Sequence, residues 1–103
     1  MKNSAAPAAK LLGERIREAR VELGLSQEAI AGLAAMHVTN FGKIERGRAN
    51  PSLLTIVRIA AALGTDVAVL TQDITREHLP KDFRVLSAHE YLHERDRRAR
   101  RPR

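Results

Sequence analysis

Between Gln27 and Arg46 the apolar side chains occupy positions that two short helices, packed near a right angle, would turn inward. Ile30, Ala31, Ala34, Met36, Phe41 and Ile44 are the inward set, and all six are apolar. Gln27, Glu28, Thr39, Asn40, Lys43 and Arg46 fall on the outer side, and all are polar. Ala31 is the tightest position, because the second helix of the pair crosses close to its Cβ. Any fold for this chain has to accommodate that helix pair.

The flanking sequence extends the helical pattern. Leu12, Ile16, Ala19 and Leu23 recur at helical steps from Lys10 onward, and Gly24 stops that helix as a C-terminal glycine does. Ser26 is an N-cap for a helix from Gln27 to about Ala34. A turn at Ala35 to His37 precedes a helix from Val38 to Arg46, which ends at Gly47. After the loop at Arg48 to Pro51, Ser52 caps a fourth helix with Leu53, Ile56, Ile59, Ala60 and Leu63 on one face, closed by Gly64. Thr65 or Asp66 caps a short fifth helix with Val67 and Leu70. The expected fold is all-α: a five-helix domain over residues 10–72, a flexible N-terminus over 1–9 and a C-terminal extension over 73–103. In that extension Phe83-Arg84-Val85 suits a short extended piece. Ser87 with Glu90 forms a capping box for a last helix from about Ala88 to Arg98.

Composition narrows the class. Aromatic residues make up 3% of the chain and hydrophobic residues 44%, so Ala, Leu, Ile and Val must build the core, which favours close-packed short helices. Without cysteine, no disulfide or thiolate zinc site can form. No apolar run approaches a membrane span, and Met1 to Ala9 lacks the apolar centre of a signal peptide, so a cytoplasmic chain is expected. The net charge of +6 favours polyanionic partners. Much of it, however, lies in Glu94 to Arg103, where six arginines face two acids. Lys10 to Gln72 holds eight basic and six acidic side chains.

Several runs in order carry a resemblance. Leu12-Gly13-Glu14-Arg15-Ile16-Arg17, Gly24-Leu25-Ser26-Gln27-Glu28, Lys43-Ile44-Glu45-Arg46-Gly47, Asn50-Pro51-Ser52-Leu53 and Ile59-Ala60-Ala61-Ala62-Leu63-Gly64 make Lys10 to Leu70 similar to the lambda-repressor and Cro-like (Xre-like) helix-turn-helix family. Two places depart from it. The family usually has glycine in the turn, where this chain has Ala35, and Ser or Thr capping the recognition helix, where it has His37. Alanine in a left-handed conformation costs about 1 kcal/mol.

The resemblance implies a sequence-specific DNA-binding transcriptional regulator, a repressor or controller that binds a palindromic operator on double-stranded DNA as a homodimer. The third helix enters the major groove. Val38, Thr39, Asn40, Gly42 and Lys43 then take the base-reading positions. Val38 suits a thymine methyl, Thr39 a methyl or a hydrogen bond, Asn40 adenine, and Lys43 guanine N7 and O6, while Gly42 allows close approach. Gln27, Arg46, Arg48, Asn50 and, more weakly, Arg17 are expected at phosphates. Arg20 and Glu45 match a structural ion pair of related proteins. For the dimer surface two candidates stand: the fifth helix with Val67, Val69 and Leu70, and the segment Phe83 to Leu92.

His89-Glu90-Tyr91-Leu92-His93 spells the H-E-x-x-H signature of zinc peptidases, and a metallopeptidase fragment is the enzyme alternative. Only ten residues follow His93 and six are arginine, leaving no room for a walled cleft, so the expectation is no enzyme, no metal site and no cofactor. A third class is an antitoxin, which would bind DNA and also hold a toxin through the extension. The arginine tail suits either extra phosphate contacts or a disordered end. No sensory domain is visible after Leu70, which argues against a small-molecule effector.

Overall fold

A computed structural model of the protein describes residues 6–100. Along these residues run α1 (Pro7–Leu23), α2 (Gln27–Leu33), α3 (Val38–Glu45), α4 (Leu53–Leu63), α5 (Val67–Thr71), a 3-10 turn at Arg76–His78, and α6 (Ala88–Ala99). The all-α expectation holds, and no strand occurs among the described residues, so Phe83 to Val85 is irregular backbone. No helix among them is long and apolar enough to cross a membrane.

Helix ends follow local chemistry. Ser26, Ser52 and Ser87 each accept a backbone N–H of the first turn they cap, from Ala29, Thr55 and Glu90. Gly24 and Gly64 end α1 and α4 in the left-handed conformation at φ 74°. Asp66 sits at the N-cap of α5 without a side-chain bond. The first helix begins earlier than its apolar repeat. Pro7 starts it, three residues before Lys10, because proline is pre-set for a first helical turn and the alanines after it carry it forward. Pro7 to Ala9 are therefore helical rather than flexible. Residues 1–5 of the expected N-terminus lie outside the described residues.

Ala35 stands at φ 58°, the left-handed geometry that the turn demands and that glycine would supply without strain. Its N–H bonds the Gly32 carbonyl and the Met36 N–H bonds that of Ala31, which closes α2 and turns the chain into α3.

One core joins α1 to α5. Phe41, Ile16, Ile30, Ile59 and Leu70 are its largest fully buried side chains, with Leu12, Ala31, Ala34, Ile44, Ala60 and Leu63 around them. Of the six inward positions of the helix pair, five are buried and Met36 is half-buried. Leu23 and Leu53, expected on core faces, are exposed, because each lies at a helix end that overhangs the bundle. Helices α1 and α3 approach most closely at Gly13. A Cβ there would lie 2.5 Å from the Glu45 carbonyl oxygen and nearer still to that of Ile44. Arg58 Nε donates to the Ala34 carbonyl at 3.1 Å and so pins α4 to the end of α2.

The extension stands apart. Helix α6 has no buried residue and makes no substantial packing contact with the other helices. Its anchor is Arg76, which holds Glu90 through two bonds of 2.7 Å and also donates to the Val85 carbonyl. From Glu94 to Arg100 the arginine tail is α6 and its C-cap rather than a disordered end, with Arg97 and Arg98 paired to Glu94. Arg101 to Arg103 lie outside the described residues.

Candidate nucleic-acid interface

Helix α3 is fixed from its inner side. Phe41 and Ile44 anchor it in the core, and Glu45, 5% exposed, is the one buried charged residue among the described residues. Arg20 on α1 meets that carboxylate with both arms of its fork, Nε to Oε2 at 2.6 Å and Nη2 to Oε1 at 3.0 Å. Gln27 on α2 donates its Nε2 to Oε1 at 2.8 Å. Three helices thus meet on one carboxylate. Its hydrogen bonds to Glu45 raise the Arg20 guanidinium above its ordinary pKa against the opposing pull of burial. Arg20 Nη1 is also used, on the Leu25 carbonyl.

On the outer side of α3, Thr39, Asn40 and Lys43 are exposed in one row. Val38 is half-buried and leans on the core. Gly42 is buried, with the Arg46 guanidinium over it and the Gln27 amide beside it. Its missing side chain makes room for the Arg46 guanidinium, which lies over it here. Arg46, Arg48 and Asn50 are exposed just after α3, and Gln27 stands at the start of α2. Arg17 is exposed on α1. His37 caps α3 with backbone only, in an extended conformation, and its ring is exposed. The structure brings Gln27, Thr39, Asn40, Lys43, Arg46, Arg48 and Asn50 around one helix, and gives the outer face of α3 no acidic side chain.

A helix-turn-helix domain model matches residues 11–72, more than half of the chain, from within α1 to the end of α5. The chain belongs to the helix-turn-helix domain family. The control protein C.SmaI of Serratia marcescens is 36% identical over 73 residues, 71% of this chain and 83% of that protein. The transcriptional regulator DdrOP3 of Deinococcus deserti is 43% identical over 63 residues, 61% of this chain. The chain spans about half the length of that regulator (49%). Among solved structures, the restriction-modification controller protein C.AhdI of Aeromonas hydrophila is 39% identical with a TM-score of 0.59, over 60% of this chain and 94% of that one. The expected likeness to the lambda-repressor and Cro-like family is met in family and in fold.

Two features escaped sequence reasoning. Gly13 was legible only as part of a family run, although its lack of a side chain sets how closely α1 and α3 approach. Gln27 also serves the Glu45 carboxylate, which the glutamine's position at a helix start did not reveal. The H-E-x-x-H run lies on α6, with His89 and His93 exposed. Glu90 there is held by Arg76 and by the Ser87 N–H, which together push its carboxyl down to about 2. A carboxylate so engaged is a poor proton acceptor at neutral pH. Among the described residues, no third His, Asp or Glu joins the two histidines in a metal-binding group.

Proposed function

We propose that this chain is a sequence-specific DNA-binding transcriptional regulator, a repressor or controller that acts in the cytoplasm as a homodimer on an operator with two-fold symmetry. The observation that carries the reading is the exposed row Thr39, Asn40 and Lys43 on a helix locked from behind by Glu45. These three read base edges, with Val38 at the margin of the contact. Gly42 acts indirectly by seating Arg46. Arg46, Arg48, Asn50 and the second amide hydrogen of Gln27 meet phosphates, and Arg17 adds a peripheral one. The function needs no cofactor and no catalytic residue. Residues 10–72 form the DNA-binding part and residues 73–103 an extension.

For the partner copy we assign the outer face of α4, where Leu53, Leu54 and Val57 are exposed on a helix whose other side is core. The fifth helix is a weaker choice, since Leu70 is spent in the core and Val67 is half-buried, which leaves Val69. Leu54→Glu should give a monomer in sedimentation, and an intact dimer would place the contact elsewhere.

Selection of bound sites from random duplex DNA tests the whole reading. An inverted repeat with half-sites about one helical turn apart is expected. Lys43→Ala should relax preference at one base step, while Arg48→Ala should weaken all sequences alike and lower the salt slope by about 1. Selection without enrichment of any site refutes the proposal. An antitoxin role is the second reading, favoured by Val85, Leu86 and Tyr91 exposed in the extension. It requires a protein partner that co-purifies from the native operon.

A further inference from the structure

A groove of about 430 Å³ runs between the first turn of α1, the loop after α3 and the segment that follows the 3-10 turn. Leu79, Pro80 and Phe83 face alanines of α1 and Ala49 across it, so most of the lining is apolar. Among the described residues its polar side chains are Arg48, Asn50 and His78, and no carboxylate lines it. The His78 ring is oriented by its neighbours. Its Nδ1 accepts the Thr75 N–H at 3.0 Å, so the neutral ring carries its proton on Nε2 and presents a donor. The lining therefore combines a guanidinium, an imidazole N–H and an amide with an apolar wall. The volume lies within the range of small-molecule sites, roughly 300–1,000 Å³.

We propose that this groove binds a small organic carboxylate with an apolar body, and that the ligand competes with DNA for Arg48. The planar guanidinium fork matches a carboxylate in two parallel hydrogen bonds. Phe83 and Leu79 cover the apolar body. The binding claim stands on the groove itself. The competition rests on the proposed role of Arg48 at a phosphate, since one fork cannot serve both anions. By linkage, DNA and the ligand then weaken each other equally. An effector site would thus lie at the junction of the domain and its extension.

The test uses the full chain, phenylacetate, and its neutral counterpart phenylacetamide, in an NMR titration without DNA. Phenylacetate should move the backbone amides of Ala8, Ala9, Arg48 and Phe83 along one saturable curve. With about ten non-hydrogen atoms, a dissociation constant on the order of millimolar is expected. Phenylacetamide should bind at least about tenfold more weakly, and Phe83→Ala should weaken both. Three results overturn the site: no saturation by about 10 mM, equal affinity for acid and amide, or shifts centred elsewhere. For the competition, phenylacetate should weaken binding to a selected duplex, and Phe83→Ala should bind that duplex as the parent does while losing the phenylacetate response. Ligand binding that leaves duplex affinity unchanged overturns the competition alone. A chain that selects no duplex fails the regulator reading, while the titration still decides the groove.

Discussion

Replacing Gly13 with alanine adds a single methyl group where α1 touches the backbone of α3. That carbon would lie 2.5 Å from the Glu45 carbonyl oxygen and 2.9 Å from its carbon. An ordinary carbon–oxygen contact is about 3.3 Å, so the helices must part by roughly 0.8 Å. Neither neighbour is a flexible side-chain end that could swing away. Overpacking of this kind costs about 3 kcal/mol at the upper end of its usual range. Alanine returns about 1 kcal/mol through its better helix propensity. The net loss is about 2 kcal/mol, which lowers the melting temperature by roughly 8–16 °C for a domain of this size. Gly32 supplies the matched control, since a Cβ there meets nothing within 4 Å. Gly32→Ala should therefore stabilise, by about 0.5 kcal/mol near its helix end. Thermal and urea unfolding of both variants, followed by far-ultraviolet circular dichroism, checks the pair. A Gly13→Ala protein that melts at or above the parent, or two variants that shift in the same direction, would refute the close-approach argument.

Ala35→Gly should stabilise by about 1 kcal/mol, because glycine relieves the left-handed strain at φ 58°; a lower urea midpoint would count against it. Glu45→Ala should cost about 3 kcal/mol by leaving Arg20 without its buried partner. A double-mutant cycle with Arg20→Ala should show a coupling well above about 0.5 kcal/mol, and a smaller value would deny the pair its structural role. Glu90 carries a carboxyl held near 2, below its ordinary 4.5, chiefly by the Arg76 hydrogen bonds. A depressed carboxylate favours the folded arrangement above pH 4.5 and loses that contribution as pH falls through about 2. NMR titration of the Glu90 carboxyl should show this, and Arg76→Ala should return the midpoint toward 4.5.

The helix-turn-helix was legible because its inward positions are set by helical periodicity, and Ile30, Ala31, Ala34, Phe41 and Ile44 are buried as that pattern requires. Serine caps and C-terminal glycines were legible for a similar reason, since each acts within a few residues of chain. Periodicity fails where a helix outruns its neighbours. Leu23 and Leu53 continue an apolar stripe past the end of the bundle, and nothing local announces where the bundle ends. The start of α1 was missed because Ala8 and Ala9 fit a helix and a loose terminus equally well until Pro7 is taken as a first-turn residue. For the interface, the outward row on α3 was visible in sequence, but the burial of Gly42 was not. Arg46, one turn along, covers it locally, but the Gln27 amide beside it comes from α2, which is a tertiary contact. The groove beside Arg48 lay beyond sequence reasoning altogether, because it joins three segments far apart along the chain.

The meeting of Arg20, Gln27 and Glu45 has a consequence for how such a protein can change. The tilt and rotation of α3 are held by a carboxylate on its inner side, while Thr39, Asn40 and Lys43 lie outside that network. Exchanging those three for other polar side chains therefore leaves the docking angle intact. On the proposed reading of these three residues, the address can be rewritten while the frame that presents it stays the same, so one scaffold of this kind could diverge into regulators of many operators through a handful of surface substitutions.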